Sequence, residues 1–281
     1  MTRKVLITGS AGFLGESVCR EISEAGYQIK KFDICRGDDI MNFNQVLDAL
    51  KDCDICIHLA AVSDLYEADA KPKQCYEVNV NGTRNIARAC LKTNTRLLYA
   101  STCCAYGNNN VSVSDENSPV EPTELYAETK LQGENVIADI GCEYNILRLA
   151  TFYGPKMRNS LATSVFLSRT LSGEPIEIHG DGNQTRCYTH VDDIASGIRV
   201  VLESPYAPKI INISEEIPYS VNQLINVISK VTGIKPITRH VQDRAGQIKS
   251  SIIKCECLKE LGWQPKWDLI SGLTDCMSKI K

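Results

Sequence analysis

The sequence predicts an α/β fold: a doubly wound parallel sheet with a smaller, partly interleaved C-terminal lobe. Three observations carry this expectation. Short apolar runs alternate with amphipathic helical stretches through the first half of the 281 residues, the pattern that lays helices on both faces of a parallel sheet. The first of these runs passes directly into a glycine-rich turn and then a helix. After Tyr153-Gly154-Pro155 the alternation loosens, so a first unit is expected over residues 1–155 and a second, partly interleaved with it, over 156–281.

In chain order, strands are expected over residues 4–8, 28–33, 54–59, 96–101 and 145–149, with helices over 12–25, 44–51, 74–93 and 123–141 between them. Beyond residue 155, shorter strands fall near 176–178 and 210–213, and helices near 160–172, 192–203 and 220–232. Pro and Gly lie between these elements, and no repeat or low-complexity segment interrupts them.

Composition narrows the function classes. Hydrophobic residues at 43% and charged residues at 23% exclude a disordered tail, a collagen and a coiled coil. Lys plus Arg number 31 against 34 Asp plus Glu, a net charge of −3, so no broad field draws the chain to nucleic acid or to an anionic membrane. No apolar stretch approaches the roughly 18 residues of a membrane span, and Met1 leads into a strand rather than a signal peptide, so a cytoplasmic protein is expected. Thirteen scattered cysteines, many inside apolar runs, read as buried thiols in a reducing compartment. The one Cys-x-x-Cys, Cys53 and Cys56, has its second member in an expected strand and no second ligand pair, so no metal site is expected.

Chemistry gathers at the carboxyl ends of the expected strands. The first strand runs into Gly9-Ser10-Ala11-Gly12-Phe13-Leu14-Gly15, where backbone amides and a helix N-terminus can receive a pyrophosphate. The spacing is G-x-x-G-x-x-G, one residue longer than the commonest dinucleotide fingerprint, and alone it also fits an ordinary strand-to-helix turn. Asp33 ends the second strand 18 residues after Gly15, where a carboxylate accepts from both adenosine ribose hydroxyls and repels a 2′-phosphate. That favours NAD over NADP, against the nearby cations Lys30, Lys31 and Arg36. The third strand ends in His58-Leu59-Ala60-Ala61, small residues that let a cofactor pass closely, with His58 a poor candidate for a base. The fourth ends in Ser101-Thr102-Cys103-Cys104-Ala105-Tyr106-Gly107. Tyr126 and Lys130 stand four residues apart on an expected helix, so phenol and ammonium share a face. The cation is expected to lower the Tyr126 pKa and make it a usable base, although in isolation the spacing also fits a surface pair.

Taken together, Gly9/Gly12/Gly15, Asp33, Asp39-Ile40, Asn79-Val80-Asn81-Gly82-Thr83, Thr102, and Tyr126 with Lys130 resemble the extended short-chain dehydrogenase/reductase family, in its NAD-dependent sugar epimerase/dehydratase group. The likeness continues through Arg148 to Pro155, Gly180 to Arg186, His190-Val191-Asp192-Asp193, Arg244-Ala245-Gly246 and Leu261-Gly262-Trp263, and so covers nearly the whole chain. It implies a Rossmann-type NAD domain, a nucleotide-sugar substrate and a homodimer paired through the helices near 74–93 and 123–141. It also implies roles: Tyr126 as base, Thr102 on the reacting sugar oxygen, Lys130 on the nicotinamide ribose. Cofactor contacts would come from Gly9, Gly12, Phe13, Leu14, Gly15, Asp33, Asp39, Ile40, Leu59, Ala60, Ala61, Asn79, Tyr126 and Lys130. Substrate contacts would come from Ser63, Thr102, Cys103, Thr151, Arg186 and Arg244, the two arginines on the diphosphate, where guanidinium forks suit phosphate oxygens.

Departures from the family pattern sharpen the expectation. Dehydratases of the group place Asp-Glu directly after the catalytic Thr, and nucleotide-glucuronate decarboxylases tend to carry Glu at the second place; here Cys103 and Cys104 stand there. Thiols are weak proton donors near neutral pH, which disfavours water loss and leaves C4 epimerisation through a transient 4-keto sugar. Thr151 replaces a usual Asn, and Cys187 a usual Asp or Ser after the arginine. The expected activity is an NAD-dependent 4-epimerase of a UDP-sugar, with a reductase, dehydratase or decarboxylase on the same scaffold, or a non-catalytic NAD sensor, as rivals.

Overall fold

The computed structural model describes residues 3–109, 111–243 and 247–279. Its first half alternates β1 (Lys4–Thr8), α1 (Phe13–Glu24), β2 (Gln28–Phe32), α2 (Phe43–Leu50), β3 (Ile55–His58), α3 (Leu65–Ala70), α4 (Pro72–Tyr76), α5 (Thr83–Thr93), β4 (Arg96–Thr102), α6 (Leu125–Ile140) and β5 (Tyr144–Leu149). The rest comprises β6 (Thr151–Tyr153), α7 (Ala162–Ser172), β7 (Ile176–His179), β8 (Thr185–His190), α8 (Val191–Glu203), β9 (Ile210–Ile213), β10 (Pro218–Ser220), α9 (Val221–Thr232), β11 (Thr238–Val241), β12 (Ser250–Ser251), α10 (Glu256–Glu260) and α11 (Leu269–Ser278).

The central sheet has six parallel strands in the order β2-β1-β3-β4-β5-β9. Strand order reverses beside β1, so the connections leaving β1 and β3 part in opposite directions and open a crevice at their carboxyl ends. Both faces of this sheet are covered. Val18 and Ile22 of α1 with Ile194, Ile198 and Val201 of α8 close one face over Val5, Ile7 and Ile57. Val46, Ile86, Cys90 and Ile137 of α2, α5 and α6 close the other over Leu6, Cys56 and Leu97. Burial on two sides is why β3 reads as an unbroken run, Ile-Cys-Ile-His, rather than alternating.

Late elements return to the first half's sheet: β9 pairs with β5 and α8 packs on α1. The smaller lobe is organised by β8, which pairs with β10, β12 and β6 above a core of Tyr153, Phe166, Leu224, Ile228 and Leu273. The pairing partners of β8 are two or three residues long, too short for a periodic signal, and were not expected from the sequence.

Two local readings are corrected. The helix expected over 74–93 is continuous but not α throughout: α4 passes through a wide π turn over Glu77–Gly82 into α5. Inside that turn the Asn79 side chain is drawn to the backbone of Val62, and the Thr83 hydroxyl donates to the Asn79 carbonyl at 2.7 Å. The strand expected to reach Asp33 stops at Phe32, because the Asp33 side chain accepts from the Cys35 amide and caps a 3₁₀ turn, Ile34–Arg36.

Candidate active site

A cleft of about 960 Å³ lies over the carboxyl ends of the central strands and extends to β6, β8 and β12. At its cofactor end the turn after β1 has no room for a side chain at Gly9 or Gly15. Gly9 has φ +66, and a Cβ there would come within 2.8 Å of the Ala60 nitrogen; one on Gly15 would reach 2.0 Å from the Gly9 carbonyl. Glycines therefore let β1, α1 and the loop after β3 meet closely, with the α1 N-terminus facing the cleft. Thr8 ties the two loops together, its hydroxyl oxygen accepting from the amides of Leu59 and Ala60 at 3.2 Å each.

Asp33 is held from both sides, its carboxylate accepting from Ala11 N at 2.9 Å and Cys35 N at 3.0 Å. Burial alone would raise its pKa, but those amides, with Arg36 nearby, hold it below the ordinary carboxylate range. A fixed carboxylate beside a glycine cradle with open amides fits the adenosine ribose and pyrophosphate of NAD. Gly12, Phe13, Leu14, Asp39, Ile40 and Ala61 line the same cleft. Asn79 does not: it is fully buried and acts at one remove, gripping Val62, which does line the cleft. His58 is a core residue between Thr8 and Thr83, and burial, then Lys130, pushes its pKa down to about 3.

Thr102, Tyr126 and Lys130 come together on one wall. Thr102 ends β4 and accepts from the Cys104 amide at 3.1 Å, and it lines the cleft beside Tyr126, whose phenol it favours in the charged form. Tyr126 sits in the first turn of α6 and Lys130 one turn later; Lys130 is only 2% exposed, its ammonium 4.1 Å above the Tyr99 ring. The expected lowering of the Tyr126 pKa is not what the structure gives. Burial raises the phenol well above its usual value and the nearby Cys104 adds to this, while Arg158 and Thr102 act the other way. Burial also pulls Lys130 down, to about 7. The sequence shows the i, i+4 spacing but not the desolvation, which opposes both charges.

Toward the substrate end the wall includes Ser63, Cys103, Thr151 and Arg186. Arg186 is braced by the carbonyls of Thr185 and Ile248, both at 2.7 Å. The Cys103 thiol points away, donating to the Arg148 carbonyl at 3.2 Å, and burial raises its pKa; Cys104 is the thiol facing Tyr126. Arg244 lies outside the described residues. Sequence reasoning missed Asp38, Gln74 and Arg158, all on the cleft. Arg158 is held by Ser63, through Oγ at 3.0 Å and the carbonyl at 2.9 Å, a pairing across 95 residues that no local pattern announces.

The chain as a whole is similar to known proteins. The model of the NAD dependent epimerase/dehydratase family matches residues 5–214. The uncharacterized UDP-glucose epimerase YtcB of Bacillus subtilis is 28% identical over 97% of this chain and 96% of its own length. A UDP-N-acetyl-alpha-D-glucosaminuronate decarboxylase of Bacillus cytotoxicus is 26% identical over 83% of this chain and 81% of its own. The structure of a Bacillus cereus UDP-glucuronic acid 4-epimerase with UDP-glucuronic acid and NAD is similar with a TM-score of 0.90 at 26% identity, covering 98% of both chains. With three quarters of its length matched by the family model, the chain belongs to the NAD dependent epimerase/dehydratase family, of the extended short-chain dehydrogenase/reductase type.

Proposed function

We propose that this chain is an NAD-dependent nucleotide-sugar 4-epimerase acting on a UDP-sugar. The observation that carries the reading is the convergence of Thr102, Tyr126 and Lys130 on the cleft that also holds the glycine cradle and Asp33, with thiols rather than carboxylic acids after Thr102. Bound NAD supplies a hydride acceptor that can return what it takes, together with a formal positive charge. Tyr126 takes the proton of the sugar 4-hydroxyl and gives it back after the 4-keto sugar has turned over. Thr102 donates to the same sugar oxygen. Arg158 and Thr102 offset the burial that disfavours the phenolate, and the Lys130 ammonium one turn along α6 adds its charge to theirs. Arg186 holds the diphosphate, and the closely packed walls fix the sugar's reach to Tyr126.

A decarboxylating reading on the same scaffold draws on the decarboxylase relative, but Cys104 stands where nucleotide-glucuronate decarboxylases tend to carry Glu. Mass spectrometry together with proton NMR of products from a panel of UDP-, GDP- and dTDP-sugars decides between them. The expected product has unchanged mass and inverted C4; a product lighter by water or carbon dioxide overturns the epimerase reading. Tyr126→Phe should lose on the order of 10²- to 10⁴-fold in turnover while still binding NAD, since only proton transfer is removed. The reading includes a homodimer through α5 and α6, which a monomer in sedimentation at micromolar concentration would refute.

A further inference from the structure

Behind the Tyr126–Lys130 wall lies a charge cluster that the proposed reaction does not use. Glu134 stands one turn beyond Lys130 on α6 and is 4% exposed. Arg148 of β5, equally buried, grips its carboxylate as a fork, Nη2 to Oε2 at 2.7 Å and Nε to Oε1 at 3.1 Å. Ser101, immediately before Thr102, donates its hydroxyl to the same carboxylate. Arg148 in turn lies 5.0 Å above the Tyr106 ring and receives the Cys103 thiol on its carbonyl. Two cations and one anion are therefore buried against the segment that carries the reactive groups.

We propose that Glu134, held by Arg148, is a positioning residue: its carboxylate offsets one of two buried cations and thereby sets the charge that Lys130 presents to Tyr126. The inference rests on the reading of Tyr126 as the proton-transfer group. Tyr126 and Glu134 stand one turn to either side of Lys130 on α6, and Tyr99 on β4, Cys75 on α4 and His58 on β3 are its other titratable neighbours. Of these, Glu134 is the one carboxylate among the described residues acting on Lys130, and it favours the ammonium. A buried ion pair is poor evidence of stabilisation by itself, because desolvation offsets the attraction. Here the pair has a neighbour whose charge it controls. Of the two charges behind it, the Glu134 carboxylate one turn along α6 acts on Lys130, while the Arg148 guanidinium is engaged on that carboxylate, so attraction prevails over repulsion at the ammonium.

The test is the protonation midpoint of Lys130, read by NMR in full-length protein carrying ¹³Cε-labelled lysine, with the resonance assigned by its loss in Lys130→Arg. Glu134→Gln leaves both cations unopposed and should lower the midpoint by about one pH unit, and Arg148→Gln should raise it by a smaller amount. The double variant Glu134→Gln/Arg148→Gln should lie between Glu134→Gln and wild type. The alkaline limb of turnover should follow the same order. A midpoint unmoved in either folded single variant overturns the proposal. If neither single variant folds, the double variant, which buries no unpaired charge, decides: a midpoint below wild type supports it and an unchanged one overturns it. Retained turnover in Tyr126→Phe would instead sink the functional reading, whatever the Lys130 midpoint.

Discussion

Single residues divide into those whose role is set by their own chemistry and those whose role is set by burial. Asp33 belongs to the first group, with its carboxylate fixed by two amides at the cleft edge. Asp33→Ala should weaken NAD binding about 10- to 100-fold, the worth of hydrogen bonds to a charged acceptor, with an unchanged circular dichroism spectrum. Titration calorimetry with NADH and NADPH checks it; tighter binding of NADPH by the wild type would also end the NAD assignment. His58 belongs to the second group. Its folded pKa of about 3 lies below the value of an unfolded histidine, so the unfolded chain takes up the proton first. The contribution is complete above about pH 6.5 and is lost as pH falls toward 3. The melting temperature of the wild type should therefore fall more steeply between about pH 6.5 and pH 4 than that of His58→Gln.

At the scale of elements, the turn from β1 to α1 is the most constrained piece of the cleft. Gly15→Ala would drive a methyl into the Gly9 carbonyl, and backbone rather than a flexible side chain must yield. Overpacking of this kind costs about 1–3 kcal/mol, and its first effect falls on the cradle. The expected outcome is a protein that folds with a lowered melting temperature but shows no saturable NADH binding by fluorescence. Undiminished binding would show that the turn relaxes without loss. The same scale explains a misreading: residues 74–93 carry a helical pattern throughout, yet the demand of Val62 for the Asn79 side chain opens a π turn inside it. Periodicity reports which face is apolar and cannot report a hydrogen bond to a distant loop.

For the whole molecule, the two halves of the chain share one sheet. Residues 1–155 contain β1 to β5 but neither β9, which covers the edge of β5, nor α8, which closes one face of the sheet against α1. A chain ending at residue 155 would expose Val5, Ile7, Leu147 and Leu149 to water, since each is buried beneath or beside those later elements. It should show no cooperative thermal transition by calorimetry, whereas the full chain should; a cooperative transition in the shortened chain would mean that the first unit folds alone. Among the described residues no helix is long and apolar enough to cross a membrane.

Sequence alone determined the βα alternation, the glycine turn, an Asp33 carboxylate where the second strand gives way to the cleft and the shared face of Tyr126 and Lys130, because each depends on short-range spacing within an element or across one turn. Tertiary structure decided which thiol faces the cleft, where Arg158 is held, how Glu134 and Arg148 meet behind the reactive wall, and that burial works against both the Tyr126 phenolate and the Lys130 ammonium. Those outcomes depend on groups brought together from distant parts of the chain and on the water removed when they meet. Neither quantity is a function of local order along the chain, and only packing fixes them.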